Sequence, residues 1–190
     1  MEKSIDAYHL YAMEICNAVK RLYVTPPEKE EGIIGQTLII MYSAIDSLGF
    51  LNAPASQQEA NSVDFKNWLR EFVLCNLSND ICTATVDDFW SARCGLLHCF
   101  SIHSSKTVSG KAKPISYFQG NSELMRKSAI FQTFTHSNQD SFVFLDDLLA
   151  NFLKGVIAFG ETFEKKLESS DKDTYIRRLD SLVSVFTVKA

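Results

Sequence analysis

The chain has 190 residues, of which 46% are hydrophobic, and a formal net charge of −4. This length most simply accommodates one domain with a full-sized core. The acidic balance excludes the whole-surface positive charge that is typical of tight duplex-DNA binders. No signal peptide or transmembrane span is expected, because no long uninterrupted apolar run occurs. The five cysteines are then interpreted as reduced, mostly buried thiols of a cytoplasmic protein.

Apolar residues at three- and four-residue spacing predict helices in the N-terminal quarter of the chain. The first helix is expected to begin at Ser4 as its cap and to end before residues 25–27 (Thr-Pro-Pro), because proline disfavours helical geometry in the residue before it. The second is expected from about 33 to 48, with Gly49 as its C-terminal stop. Its apolar residues cover most of its circumference, but it also carries Gln36 and Asp46, which favours a core helix over a membrane span.

The same periodicity predicts helices further along the chain. A third is expected at about 63–75, capped by Ser62, and a fourth at about 86–100, capped by Thr85. After residue 140 a long helix is expected from Ser141 to about 169, followed by a short helix that Asp171 or Asp173 caps. The sequence therefore predicts an all-α fold.

Residues 101–140 interrupt this helical pattern. Serine, glycine, proline and asparagine are frequent there, and 115–118 and 129–134 contain the β-branched and aromatic residues typical of strands. The segment is too long for an ordinary connection between helices. We expect an inserted loop or small β-hairpin. Its cations are candidates for RNA binding, beside the aromatic Tyr117 and Phe118; the alternative is a solvated loop. These cations are Lys106, Lys111, Lys113, Arg126 and Lys127.

The fourth predicted helix carries two polar residues, Arg93 and His98, among large apolar ones. Arginine presents a planar, permanently charged fork to phosphate, and histidine exchanges protons near neutral pH. Cleavage of RNA by its own 2′-hydroxyl needs both functions and no metal. A five-residue spacing places the two side chains about 140° apart around a helix. We therefore expect a partner helix to complete the cleft, unless His98 is a core residue and Arg93 a surface ion pair.

Other groups along this helix have simpler interpretations. Cys94, His98, Cys99 and His103 are possible zinc ligands, but they lack the usual Cys-x2-Cys pair, and a Cys94–His98 nucleophile is disfavoured by the apolar surroundings. Asp87 and Asp88 fall in the first turn, where the helix dipole favours negative charge. On the second helix, Asp46 either faces water or supports a neighbouring site.

Two short runs resemble the HEPN domains (higher eukaryotes and prokaryotes nucleotide-binding). Residues 89–98 (Phe-Trp-Ser-Ala-Arg-Cys-Gly-Leu-Leu-His) are similar to their Arg-x4-His motif helix, and residues 42–49 (Tyr-Ser-Ala-Ile-Asp-Ser-Leu-Gly) resemble a second helix of that group. The resemblance implies that residues 1–190 form a single up-and-down helical bundle that dimerises through its motif helices. Neither a cofactor nor membrane association is expected for this chain.

The resemblance further implies a metal-independent endoribonuclease with a role in toxin–antitoxin, phage-defence or stress systems, and with a cognate antitoxin or regulator as partner. Arg93 would bind the scissile phosphate and His98 would transfer protons, with Asp46, Cys94 and His103 as possible supporting residues. Many active members have a polar residue where this chain has Cys94. The alternative is therefore a non-catalytic module that dimerises or binds a nucleotide or RNA.

Overall fold

The computed structural model describes residues 2–24, 33–99, 101, 104–137 and 140–183. These residues are mostly helical, as predicted, with one small parallel sheet of two strands. The elements are α1 (Glu2–Val24), α2 (Ile33–Asn52), α3 (Ser62–Phe72), α4 (Val86–Cys99), α5 (Ser105–Val108), β1 (Ile115–Phe118), α6 (Ser122–Arg126), α7 (Ala129–Ser137), β2 (Ser141–Phe144), α8 (Leu145–Leu167) and α9 (Lys172–Val183), with a 3-10 turn at Leu74–Asn76.

The chain divides into two compact units. Unit 1 contains the residues up to Phe72 and those from Leu153 onward, so α1, α2, α3, α9 and the larger part of α8 belong to it. Unit 2 runs from Val73 to Phe152 and holds α4 together with the segment that was expected to be an insertion. That residues 1–190 form a single domain stays a prediction.

Aromatic rings from α1, α3 and α8 form the core of unit 1. The ring centroid of Tyr8 lies 5.9 Å from that of Phe159 and 5.2 Å from that of Phe163. The Tyr8 hydroxyl also donates a 2.6 Å hydrogen bond to the carbonyl oxygen of Val156. Phe72 packs edge-on against Phe159, with ring centroids 5.4 Å apart. Both ends of the chain therefore contribute to one core.

Helix α2 continues past Gly49, where the sequence predicted a stop. A Cβ atom on Gly49 would lie 2.7 Å from the carbonyl oxygen of Asp64, so glycine permits the close approach of α3. The stretch Ile34–Asn52 is long and apolar enough to cross a membrane by length and composition alone, and half of it is buried. Ile39 and Ile40 line an apolar groove of about 410 Å³ beside α1.

Three predicted helix boundaries are corrected in unit 1. Ser4 lies inside α1 and does not cap it, while the proline stop at 25–27 lies outside the described residues. Asn61, not Ser62, caps α3, because its side-chain oxygen accepts from the amide of Val63 at 2.7 Å. Helix α3 ends at Phe72, and a 3-10 turn follows it.

Arg178 on α9 organises the C-terminal end of α2, which sequence reasoning missed. The side chain is buried, and its two terminal nitrogens donate to four backbone carbonyl oxygens at 2.6 to 3.0 Å. One acceptor lies in the last turn of α2 and the other three in the loop that follows it, so the guanidinium fork joins this loop to the helix end. The carbonyl oxygens belong to Phe50, Ala53, Pro54 and Gln57.

The prediction of a β-hairpin in this part of unit 2 is wrong. Strands β1 and β2 run parallel, with Ile115 opposite Ser141 and Phe118 opposite Phe144. A parallel pair needs a crossover connection, and α6 and α7 provide it. Residues 129–134, predicted as a strand, lie in α7, whose first turn is capped by the Ser128 hydroxyl. Residues 141–144, predicted as helix, form β2.

Five phenylalanines hold this small α/β element together. Phe118 lies 5.3 Å from Phe131 and 5.1 Å from Phe134 between ring centroids, both edge-on. Phe131 in turn lies 5.0 Å from Phe142 and 5.2 Å from Phe144. Edge-to-face packing, which the first three of these pairs show, stabilises a core beyond the area it buries. Both strands are therefore fixed against α7.

Candidate functional site

The first turn of α4 is held by a reciprocal pair of hydrogen bonds, as the Thr85 cap predicted. The Thr85 hydroxyl oxygen accepts from the amide of Asp88 at 3.2 Å, while the Asp88 carboxylate accepts from the amide of Thr85 at 2.9 Å. This is a capping box with aspartate as its acidic partner. Asp87 and Asp88 both lie in the first turn, where the helix dipole favours them.

Asp88 also joins α4 to the strands of unit 2. Its carboxylate is buried and accepts from the backbone amide of Lys113 at 2.6 Å and from the Ser141 hydroxyl at 3.1 Å. Lys113 leads into β1, and Ser141 begins β2. A carboxylate that accepts several hydrogen bonds contributes more to the stability of the fold than one that only caps a helix. The N-terminal end of α4 therefore has a fixed position within unit 2.

Arg93 and His98 meet on the following two turns of α4. Nη1 of Arg93 lies 3.2 Å from Nε2 of His98. The guanidinium carbon of Arg93 lies 5.0 Å from the centroid of the Trp90 ring, which is a cation–π contact. His98 is exposed, and Arg93 and Trp90 are half-buried. A charged fork and an imidazole thus sit together on a surface that solvent reaches.

This geometry corrects the expectation that one helix cannot bring the pair together. The angle of about 140° describes where the side chains leave the helix, whereas the arginine side chain is long enough to cross the Trp90 ring and reach the next turn. The interpretation of His98 as a core histidine is also wrong, since it is exposed. Trp90 was not predicted to take part, although its i, i+3 spacing from Arg93 was the available signal.

The Arg93–His98 contact specifies the proton on the imidazole. A guanidinium only donates hydrogen bonds, so Nε2 of His98 must accept. His98 is then neutral in this arrangement and carries its proton on Nδ1. A neutral imidazole with a lone pair on an exposed nitrogen is the form that serves as a general base.

Two of the three possible supporting residues lie within the described parts of the chain. Cys94 is half-buried on α4, one helical turn before His98. Asp46 is half-buried on α2. His103 lies outside the described residues, as does the Cys99 side chain. Among the residues that are described, no group of three or more potential ligands is placed to hold a metal ion.

The predicted RNA-binding cations separate into two groups. Arg126 pairs with Asp80 at 3.4 Å and Lys127 with Glu123 at 3.2 Å, so carboxylates already neutralise them. Lys106, Lys111 and Lys113 have no carboxylate within ion-pair distance in the described parts of the chain.

A single turn gathers the second group. The carbonyl oxygen of Lys106 accepts from the amide of Lys111 at 2.9 Å, and Lys113 follows two residues later. The turn is attached to α4, because the hydroxyls of Ser104 and Ser91 lie 2.6 Å apart. We call Lys106, Lys111 and Lys113 the lysine turn.

Burial was correctly predicted for only one of the four cysteines whose side chains are described. Cys82 is buried, and burial raises the pKa of its thiol to about 11. Cys16 and Cys94 are half-buried, and Cys75 is exposed. Burial also raises the pKa of Cys16. Both pKa shifts disfavour the reactive thiolate form at neutral pH.

Comparison with protein-family models, with curated proteins and with solved structures gives no match. The proposed function therefore depends on the chemistry of Arg93, His98 and their neighbours.

Proposed function

We propose that this chain is a HEPN-like up-and-down helical protein that cleaves RNA without a metal ion. The observation that supports this most directly is the 3.2 Å contact between Arg93 and His98 on an exposed helix surface. Arginine for the phosphate and neutral histidine for the proton are the two groups that this reaction needs. The Arg-x4-His spacing and the flanking Gly-Leu-Leu are the features shared with HEPN domains.

In the proposed reaction, RNA supplies its own nucleophile. Nε2 of His98 takes the proton of the 2′-hydroxyl, and the 2′ oxygen bonds to phosphorus while the bond from phosphorus to the 5′ oxygen breaks. The leaving oxygen takes a proton from solvent. The products are a 2′,3′-cyclic phosphate and a 5′-hydroxyl. Arg93 stabilises the negative charge that builds up on the phosphorane oxygens.

The lysine turn provides the cationic surface for the rest of the strand. Its three lysines lie on a segment attached to α4 through Ser91 and Ser104, and they are the predicted cations that no described carboxylate neutralises. In this proposal a second copy packs against α4 and encloses the cleft, and the protein acts in the cytoplasm within a toxin–antitoxin, phage-defence or stress system, with a cognate antitoxin or regulator.

The second candidate is a non-catalytic module that dimerises or binds RNA or a nucleotide through the same residues. Two observations favour it. Cys94 stands where many active HEPN proteins have a polar residue, and the lone pair of His98 is already occupied by Arg93. This candidate predicts binding without cleavage, and a loss of dimer mass when Arg93 is replaced.

A cleavage assay with matched histidine variants tests the proposal. Purified wild type, Arg93→Ala, His98→Ala and His136→Ala are incubated with single-stranded RNA in EDTA. His136 is the control, because it is an exposed histidine on α7 of the same unit. We expect 2′,3′-cyclic ends from wild type and His136→Ala, and a loss of at least about 100-fold in the other two variants. Equal cleavage by all four proteins would disprove the catalytic assignment.

Light scattering on the same samples tests the non-catalytic candidate. A dimeric wild type that becomes monomeric on Arg93→Ala replacement, with no RNA cleaved by either protein, would favour it. Cleavage of RNA but not of an otherwise identical strand with a 2′-deoxy nucleotide at the scissile position would favour the nuclease.

A further inference from the structure

A polar pocket lies beside the C-terminal end of α2, in unit 1. It has a volume of about 310 Å³ and is formed by the end of α2, the loop that follows it and α9. None of the residues that line it, all of them within the described ranges, is acidic. Amide, hydroxyl and guanidinium groups can all donate hydrogen bonds, so this lining suits an anion. The polar side chains are those of Gln57, Gln58, Thr174, Arg177, Arg178 and Ser181.

Arg178 brings to this pocket a positive charge that no ion pair in the described parts of the chain neutralises. It is only 6% exposed, and its two terminal nitrogens donate to carbonyl oxygens, which are neutral acceptors. The buried carboxylate of Asp64 accepts instead from the Gln57 side-chain amide and from the backbone amide of Asn61. A buried cation without an opposite charge in contact is costly, so an anion in the pocket would stabilise it.

Two pKa shifts indicate that positive charge at this end of α2 is incompletely compensated. Burial lowers the pKa of Arg178, although Tyr175 and Asp64 act in the opposite direction. Burial and the charge of Arg178 both lower the pKa of Lys166, against the effect of Glu71. The Lys166 ammonium group lies at the same end of the helix, since it donates to the carbonyl oxygen of the last residue of α2 at 3.0 Å. Two cations therefore repel each other there, and a bound anion would reduce the repulsion.

Arg177 supplies the hydrogen-bond donors that a ligand could use. It is exposed, and its side chain bonds only to its own helix within the described residues. Nε donates to the carbonyl oxygen of Asp173 at 3.3 Å, and Nη2 donates to the Thr174 hydroxyl at 3.2 Å. A guanidinium has five N–H groups, so both of those on Nη1 and one on Nη2 remain. Two adjacent terminal nitrogens form the fork that binds a phosphate through parallel charge-assisted bonds.

We propose that this pocket binds a phosphate group, either as the free ion or as the monoester of a small polar molecule. The fork of Arg177 binds two of the phosphate oxygens, and the charge of Arg178 attracts the anion from the buried side. A phosphate monoester offers three terminal oxygens to the surrounding donors, whereas a carboxylate offers two. No residue of α4 belongs to this site, so the inference goes beyond the proposed function and is independent of it.

The size and lining of the pocket limit the rest of the ligand. At about 310 Å³ the pocket is near the lower end of the size range of small-molecule sites. Its amide and hydroxyl groups match the hydroxyl groups of a short hydroxylated carbon chain or ring better than they match an apolar surface. A monoester of a small sugar therefore fits this chemistry.

Isothermal titration calorimetry on the full-length protein tests the proposal, in phosphate-free buffer at constant ionic strength. The probes are ribose 5-phosphate, inorganic phosphate and unphosphorylated ribose. We expect both phosphate compounds to bind and ribose not to bind. Tighter binding of ribose 5-phosphate would identify the ligand as a monoester, and equal affinity of the two would identify it as the free ion.

Variants of three arginines locate the bound phosphate. Arg177→Gln should weaken the binding of both phosphate compounds at least about tenfold, because it removes hydrogen bonds to a charged group. Arg177→Lys keeps the charge without the fork and should recover only part of the affinity. Arg70→Gln, at an exposed arginine of α3 that does not line the pocket, and Arg93→Gln on α4 should both bind as the wild type does. Circular dichroism confirms that all four variants fold.

Several results would overturn the proposal. These are no heat of binding from either phosphate compound at millimolar concentration, ribose binding as tight as that of ribose 5-phosphate, and an equal loss of affinity in Arg70→Gln and Arg177→Gln. A loss in Arg93→Gln but not in Arg177→Gln would also reject it, because the phosphate would then bind at α4. RNA cleavage depends on His98 in the proposed function, so a failure of either proposal leaves the other standing.

Discussion

At the scale of single residues, the contact between Arg93 and His98 selects one tautomer of the imidazole. Because Nε2 accepts from the guanidinium, the proton resides on Nδ1. We expect ¹⁵N-detected NMR at a pH where the histidines are neutral to show the Nδ1-protonated form for His98. His9 and His136, both exposed, serve as internal references. Arg93→Leu should move the His98 signals toward theirs, and unchanged signals in that variant would contradict the contact.

Arg178 shows how one buried cation stabilises a helix end and the loop after it through backbone carbonyl groups. Replacing it with methionine keeps the aliphatic part of the side chain but removes a donor from four carbonyl oxygens. Those of Phe50 and Pro54 keep a backbone donor, whereas those of Ala53 and Gln57 lose the guanidinium that binds them. We expect the free energy of unfolding to fall by about 3 kcal/mol or more, from buried acceptors at about 1–3 kcal/mol each. The measurement is urea unfolding followed by circular dichroism.

The neighbouring residue provides the matched control for Arg178. Arg177 is exposed on the same helix, so Arg177→Met should change the free energy of unfolding by no more than about 0.5 kcal/mol. A similar loss in both variants would mean that a general change of charge on α9, and not the carbonyl cluster, explains the effect.

At the scale of secondary-structure elements, two glycines of α2 are expected to respond in opposite directions to alanine. A Cβ atom on Gly49 would meet the backbone of Asp64, whereas a Cβ atom on Gly35 would have nothing within 4 Å. Gly49→Ala should cost about 1–3 kcal/mol, because backbone must shift. Gly35→Ala should stabilise by roughly 0.5–1 kcal/mol, since alanine favours a helix. Thermal unfolding of both variants measures this, and a stabilising Gly49→Ala would contradict the close approach.

Asp88 connects three elements, and its replacement should affect all of them. In Asp88→Asn one carboxylate oxygen is replaced by an amide group that donates, and the negative charge is lost. The carboxylate accepts from the amides of Thr85 and Lys113 and from the Ser141 hydroxyl, so a donor at this position would face other donors. We expect a loss of about 2–4 kcal/mol, from a helix cap and charge-assisted bonds together. Asp87→Asn, one residue away on an exposed side chain, should cost less than about 1 kcal/mol. Chemical denaturation measures the free energy of unfolding of both variants. Equal losses would mean that Asp88 stabilises the protein only through its interaction with the helix dipole.

The sequence predicted those elements whose side chains repeat with helical spacing, and it failed where packing across the chain decides. Helix α4 began at the predicted residue because its cap is local. Residues 129–134 and 141–144 each contain two phenylalanines, yet the first segment is helical and the second is a strand. The phenylalanines of the two segments pack against each other in one cluster, with Phe131 of the helix in contact with Phe142 and Phe144 of the strand. Local propensity does not contain that information.

The candidate site was predictable in its residues but not in its geometry. The residue types and the five-residue spacing identified Arg93 and His98 as a pair. A projection of helix positions does not include the length of a side chain or the surface that it crosses, so the contact through Trp90 was missed. Arg178 gave no sequence signal either, because its acceptors are backbone carbonyls, which every residue has.

At the scale of the whole molecule, unit 1 is assembled from the two ends of the chain, and its aromatic core contains titratable groups. Burial raises the pKa of Tyr8 well above its ordinary value of 10.0, and it also raises the pKa of Tyr11. When the folded-state pKa of an acid is raised, the unfolded chain loses the proton first as pH increases. The resulting stabilisation is complete below pH 10 and is lost progressively above it.

Tyr8→Phe separates this linkage from packing. At neutral pH the variant should be less stable by about 1–2 kcal/mol, because the buried hydrogen bond from the Tyr8 hydroxyl to the carbonyl oxygen of Val156 is lost. Between pH 10 and 11 only the wild type loses stability from keeping Tyr8 protonated in the folded state. The difference in free energy of unfolding between wild type and Tyr8→Phe should therefore shrink by up to about 1.4 kcal/mol per pH unit. Phe163→Leu alters the same ring cluster without a titratable group, so its deficit should stay constant with pH. Urea unfolding from pH 7 to 11 measures all three proteins, and a Tyr8→Phe deficit that runs parallel to that of Phe163→Leu would show that the Tyr8 hydroxyl does not control alkaline stability.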